Sequence, residues 1–174
     1  MYKANVILNG LAPLRFNKFN EEQSAGKQSD KELQADAELR TYRNAQGALY
    51  IPAHAIEECI YNGGKKVKLG RSFMGRILKA VLFVMPKEVI VTGEAPGLYS
   101  TMVRIPPKSG GRVKKYWVWV NLPWEIKFEI TVLDDRIPPE KTHQCLLEAG
   151  LYEGLLDGRP RWGRFAVEKF EVVE

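Results

Sequence analysis

The 174 residues suit one domain, 1–174, and 45% of them are hydrophobic, enough to bury a sizeable core. That balance excludes a wholly disordered chain, a coiled coil and a collagen-like repeat, and two cysteines without a CxxC pair exclude a disulfide scaffold. The formal net charge is +5, which suits an anionic partner or a well-solvated basic surface.

Tyr2 to Leu11 reads as an opening strand, with Val6 and Leu8 on one face and Ile7 on the other. Residues 17–38 are polar and charged and read as a long loop insertion, with a short helical turn at most in DKELQADAE. Asn44–Gly47 is a turn, ALYIP a short strand, and Pro52 suits the first turn of a helix carrying Ile56, Cys59 and Ile60. Gly63–Gly64 breaks that helix, and SFMGRILKAVLFVM resumes it, so one helical region of two parts spans roughly 52–84.

KEVIVTG is a strand. The stretch 98–120, LYSTMVRIP and RVKKYWVWV around a turn at Lys108–Gly111, is a hairpin excursion. Trp117 and Trp119 share one face of its second arm, as core or as a stacking surface. WEIKFEITVL alternates cleanly: Ile126, Phe128, Ile130 and Val132 point inward, Lys127, Glu129 and Thr131 toward a wet or loosely covered face. PPEKTHQCLLEAG is a helix with a proline start and Gly150 as its stop, and FAVEKFEVV is the last strand. The order fits an α+β, ferredoxin-like or RRM-like antiparallel sheet with two helices and a β-hairpin excursion. No apolar run approaches the roughly 18 residues of a membrane span, and MYKANVILNG carries no secretory signal, so a soluble cytoplasmic protein is expected.

Charge is unevenly spread. Residues 60–115 hold twelve Lys or Arg against Glu88 and Glu94. Lys65, Lys66, Lys68 and Arg71 share the glycine-punctuated NGGKKVKLGR, with Arg76 soon after. Lys108, Arg112, Lys114 and Lys115 flank the turn in PPKSGGRVKK. Basic groups on loops reach phosphates without disturbing a core. The segment GLLDGRPRWGRF adds Arg159, Arg161 and Arg164 as fork-shaped donors and Trp162 as a π face for a base. Its glycines allow close approach of backbone amides to a phosphate; the bland alternative is a tight connection with incidental arginines.

No Walker A sequence, GxSxG elbow, HExxH or EF-hand loop occurs, and no cofactor or metal site is expected. His54 and His143 are the candidate catalytic bases, each also explicable as a surface or capping residue. Asp30 and Asp36 could support cleavage of bound RNA, or be solvated loop acids.

Two elements together resemble the RAMP superfamily of CRISPR-associated RNA-binding proteins, above all its backbone-subunit branch, which coats guide RNA in effector complexes. One is GALYIPAHAIEECI, where Tyr50-Ile51-Pro52-Ala53 matches a strand, Ile-Pro-small-small, helix element; the other is AGLYEGLLDGRPRWGRFAV, where Arg161-Trp162-Gly163-Arg164 matches a glycine-rich loop before a late strand. Gly10-Leu11-Ala12-Pro13-Leu14 also looks like the family's start. Two features depart from the pattern: Ala53-His54-Ala55 replaces a small-Ser-Ser turn, and Glu57-Glu58 stand where a basic residue is common. The chain is short for a backbone subunit, so the resemblance implies a stand-alone relative from a phage or mobile element, in an antiviral ribonucleoprotein setting.

Three functions follow. The first is binding of single-stranded nucleic acid, with assembly along the strand with itself or other RAMP subunits; the preference for RNA over DNA comes from the resemblance. The second is a metal-independent endoribonuclease using His54 or His143. The third is an assembly subunit whose basic surface meets an acidic protein.

Overall fold

The computed structural model describes residues 1–21 and 27–173. β1 (Tyr2–Gly10) buries Ala4, Val6 and Leu8 on one side and turns Asn5 and Ile7 to the other, as a period of two demands. After β2 (Leu14–Arg15), the stretch expected as a loop contains a full helix, α1 (Asp30–Leu39). It buries only Ala37, so it is started by local chemistry: the Ser29 hydroxyl accepts from the Glu32 amide, and the Glu32 carboxylate accepts from the Ser29 amide at 2.6 Å.

β3 (Tyr50–Pro52) leads directly into α2 (Ala53–Gly64), with Pro52 as its extended cap rather than part of its first turn. A tight hairpin of β4 (Lys68–Leu69) and β5 (Ser72–Phe73) precedes α3 (Met74–Val81). The second helical part ends there and not near residue 84. Leu82 and Val84 point inward and Phe83 and Met85 outward, a period of two that makes Leu82–Met85 a strand, β6.

β7 (Glu88–Gly93) is followed by the expected hairpin, β8 (Pro96–Ile105) and β9 (Gly111–Val120), paired from Pro96↔Val120 to Ile105↔Gly111. β10 (Trp124–Val132) buries the four residues expected on its inner face. α4 (Pro139–Glu148) runs on through a π-helical turn, Ala149–Glu153, so the stop is Gly154 at φ +77° and not Gly150. β11 (Phe165–Val173) completes the chain.

The main sheet has the order β11-β1-β10-β7-β3, all antiparallel, with β6 also paired to β10. β10 divides its free edge: Glu129–Val132 pair with β6 and Trp124–Ile126 with β7. Taken alone, β1, β6, β10 and β11 stand in the order β11-β1-β10-β6, with α2–α3 and α4 as the two crossovers. That is the ferredoxin-like plan. α2, α3 and α4 bury Ile56, Ile60, Leu78 and Leu146 in one core with Val6, Leu8, Phe128 and Ile130 of the sheet. The opposite face is open, and its charges are paired among themselves: Lys3–Glu129 at 2.7 Å, Lys127–Glu125 at 3.0 Å and Lys169–Glu171 at 2.7 Å.

A smaller sheet, β2-β9-β8, stands beside the main one, and Leu14, Val118 and Val120 join it to the same core. Among the described residues no helix is long and apolar enough to cross a membrane.

Candidate nucleic-acid interface

The glycine-rich loop between the π turn and β11 is laced to the segment after β1. Leu11 and Ala12 amides donate to the Arg164 carbonyl (2.7 and 3.2 Å), the Gly163 amide to the Pro13 carbonyl (2.9 Å), and the Asp157 amide to the Arg15 carbonyl (3.0 Å). Thus Gly10–Leu14 and the loop containing Arg161–Arg164, separated by about 150 positions along the chain, form one structure. Gly163 has φ +72°, and a Cβ there would run into the Leu155 backbone, so only glycine closes this loop.

Trp162 is half-buried against the root of the hairpin. Its ring centroid lies 5.1 Å from Tyr99 and 5.9 Å from Trp119. Within this group sits Arg15, its guanidinium carbon 4.3 Å from the Trp117 ring centroid and 5.1 Å from that of Trp162. Arg15 donates through Nε to Asp157 Oδ2 at 3.1 Å, and Nη2 lies 3.0 Å from the same oxygen. Asn17 donates to the other oxygen of Asp157, and Lys115 donates to Asn17. Burial pushes the Lys115 ammonium below the usual lysine range. The two tryptophans of β9 therefore act as a base for the glycine-rich loop: Trp117 is buried and Trp119 half-buried.

The start of the loop meets α2, and the π turn before it meets the first basic segment. The Cys59 thiol of α2 donates to the Gly154 carbonyl at 3.1 Å. Lys66 lies 3.9 Å over the Tyr152 ring and 3.6 Å from the Glu153 carboxylate. Lys65 donates to Asn62, Lys68 lies 5.3 Å over Phe73, and Arg71 and Arg76 are exposed. Arg159 and Arg161 are exposed on the loop, and Arg164 bonds the Pro160 carbonyl through Nε while remaining exposed.

The sequence-selected residues thus do not all gather in one place. Lys66 reaches the π turn that leads into the loop of Arg159, Arg161, Trp162 and Arg164, through Tyr152 and Glu153, while Lys65 engages Asn62 and Lys68 lies over Phe73. Lys108 and Arg112 lie at the far end of the ribbon, Arg112 seven residues from Trp119 and so roughly 23 Å along the strand. Lys114 and Lys115 are tied to the body: Lys114 and Tyr116 both donate to Asp30 Oδ2, at 3.1 and 3.2 Å. Those bonds, from Lys114 first and then Tyr116, hold the Asp30 carboxyl below the usual carboxylate range.

The carboxylates read as possible cleavage groups have structural partners, since Asp36 is paired with Arg40 at 2.8 Å. His54 is exposed in the first turn of α2, and His143 stacks on Phe170 with ring centroids 4.9 Å apart. Among the described residues neither histidine bonds a carboxylate, and no three His, Cys, Asp or Glu side chains gather as metal ligands. Glu57, where a basic residue would be common in RAMP proteins, accepts from the Val84 amide at 2.9 Å and so secures β6. Sequence reasoning missed Arg15, Asn17, Tyr99 and Asp157, because their value lies in meeting one another across more than eighty positions.

No known family profile matches the sequence, and no curated protein matches it. The fold has solved counterparts. One is a chain of the type III-B Cmr-beta complex bound to cognate target RNA, determined by cryo-EM: TM-score 0.64 at 12% identity over 99% of this chain. The chain spans 61% of that neighbour's length. What the two share is the overall fold of this chain.

Proposed function

We propose that the protein is a RAMP-type binder of single-stranded RNA, working as a subunit of a ribonucleoprotein. The strand runs from the β4–β5 hairpin, across the loop bearing Arg159, Arg161 and Arg164, to the β8–β9 ribbon. The observation that carries this reading is the placement of the arginine loop: the π turn that leads into it meets Lys66 just after α2, and its own Trp162 meets the ribbon root. Trp162 holds the loop in place, which leaves Arg159 and Arg161 directed to solvent as forked donors suited to phosphate oxygens. The likeness to a Cmr-beta subunit at full coverage of this chain supports the same reading. Assembly with other subunits, or along the strand with further copies, belongs to this proposal.

The test is a fluorescence-anisotropy titration with labelled single-stranded RNA, single-stranded DNA and duplex DNA at 50 and 200 mM salt. Five to eight phosphate contacts make affinity fall by about 10³-fold across that range. Single-stranded RNA is expected to bind most tightly, and Arg159/Arg161/Arg164→Ala to remove that binding. Failure to bind any nucleic acid at low salt would sink the proposal and turn attention to an acidic protein partner.

A further inference from the structure

Between α2 and α3 lies a cleft of about 350 Å³, walled by Glu58, Tyr61 and Lys65 on one side and Phe73, Arg76 and Lys79 on the other. Its floor is main chain. The helices meet so closely that a Cβ on Gly75 would strike the Tyr61 carbonyl. At its mouth Phe73 is 47% exposed, held in place by the two-residue ladder Lys68↔Phe73 and Leu69↔Ser72. The Phe73 backbone is thus fixed while its ring stays open to solvent, with Lys68 5.3 Å from the ring centroid.

The charge of the cleft is one-sided. Lys65, Arg76 and Lys79 face a single carboxylate, Glu58, and among the described residues Arg76, Lys79 and Glu58 have no ion-pair partner. Arg76 and Lys79 are three apart on α3 and so share one side of the helix. The Tyr61 hydroxyl is engaged, donating to the Leu82 carbonyl at 3.2 Å, and burial pushes it up to about 12. Tyr61 therefore contributes its ring and no anion. A ligand for this cleft needs a flat apolar face for Phe73 and negative charge for Arg76 and Lys79, within a volume fit for one small unit. A nucleotide has both.

We infer that the α2–α3 cleft is a nucleobase-stacking station: one base of a bound strand lies on Phe73, and its adjoining phosphate is held by Arg76 and Lys79. The inference rests on the RNA-binding reading and deepens it. The arginine loop supplies attraction to any phosphodiester, whereas the cleft holds one nucleotide by its base. Lys68, 5.3 Å from the Phe73 ring centroid, flanks the same ring and neutralises the next phosphate.

The experiment walks a single 2-aminopurine along an RNA oligonucleotide and compares wild type with Phe73→Leu, Phe73→Tyr and Arg76→Gln/Lys79→Gln. Thermal melts confirm that each variant is folded. In wild type, one position of the probe is quenched more than its neighbours. Phe73→Leu abolishes that quenching and weakens binding about tenfold, as loss of one stacked base does, while Phe73→Tyr retains both. The double Gln variant lowers affinity and reduces the salt dependence. Free 2-aminopurine riboside 5′-monophosphate, added in parallel, shows whether the cleft takes an isolated nucleotide or only one carried on a strand. RNA that binds wild type and Phe73→Leu with equal affinity and equal quenching overturns the cleft while leaving the RNA-binding reading standing. RNA that fails to bind wild type at all overturns that reading itself.

Discussion

Arg15 and Asp157 hold each other twice: the Arg15 guanidinium donates to the Asp157 carboxylate at 3.1 Å, and the Asp157 amide donates to the Arg15 carbonyl at 3.0 Å. Both side chains are largely withdrawn from water, at 13% and 28% exposure, and the cation is sheathed by Trp117 and Trp162. One residue pair therefore joins β2, the hairpin root and the glycine-rich loop.

Removing either partner leaves the other charge poorly solvated. Arg15→Met and Asp157→Asn should each lower unfolding free energy by about 1–3 kcal/mol. A double-mutant cycle read by urea denaturation should show a coupling of at least about 0.5 kcal/mol. Additive effects would mean that the pair is a surface contact of no consequence.

Gly163→Ala forces a Cβ into the Leu155 backbone at a φ that favours glycine. The loop should lose its hydrogen bonds to Pro13 and Leu155, and Trp162 should leave the Tyr99–Trp119 group. We expect a destabilisation of about 1–2 kcal/mol or more and a red-shifted tryptophan emission. An unchanged spectrum and unchanged melting would contradict the loop geometry described above.

The contact between α1 and the ribbon is pH-dependent with a definite sign. Asp30 is held below the usual carboxylate range by Lys114 and Tyr116, so its folded value is depressed. The contribution is fully present above the ordinary carboxylate value of about 4 and is lost as pH falls through the lowered folded value. Hydrogen exchange of residues 30–39 should accelerate only at the acid end of that range. In Asp30→Asn the exchange should already be faster at neutral pH and show a smaller acid step. The remainder comes from Glu32, which its hydrogen bonds to the Ser29 amide and hydroxyl also hold below the usual carboxylate range.

Burial pushes the Cys59 and Cys145 thiols up to about 12. Neither should react with iodoacetamide at pH 8 in the native protein, and both should react once it is unfolded in urea. Rapid native labelling of Cys59 would show that the Gly154 carbonyl and the α2–α4 packing do not cover it.

The same contrast between local and distant causes separates what was legible in the chain from what was not. β10 was readable because its alternation, Ile126, Phe128, Ile130 and Val132, is a local pattern that one buried face imposes. The hairpin was readable from its glycine turn between two β-rich arms, and α4 from its prolines. α1 was missed although Ser29 and Glu32 stand three apart as a capping box, because so few of its residues are apolar. β6 was missed for a different reason. Its four residues continue a helical run without a break, and only pairing with Glu129–Val132 makes them a strand.

For the interface, the sequence by itself determined the chemistry: a basic middle, an arginine loop with glycines, and a ferredoxin-like order of elements. Only the tertiary structure decided which basic residues are available. It engaged Lys114 with Asp30 and Lys115 with Asn17, set Trp162 against Tyr99, and left Arg159, Arg161 and Phe73 open. The physical reason is that composition and period are properties of neighbours in the chain. Whether a cation meets a carboxylate or solvent depends on partners that only folding brings together, as with Lys114 and Asp30, eighty-four positions apart.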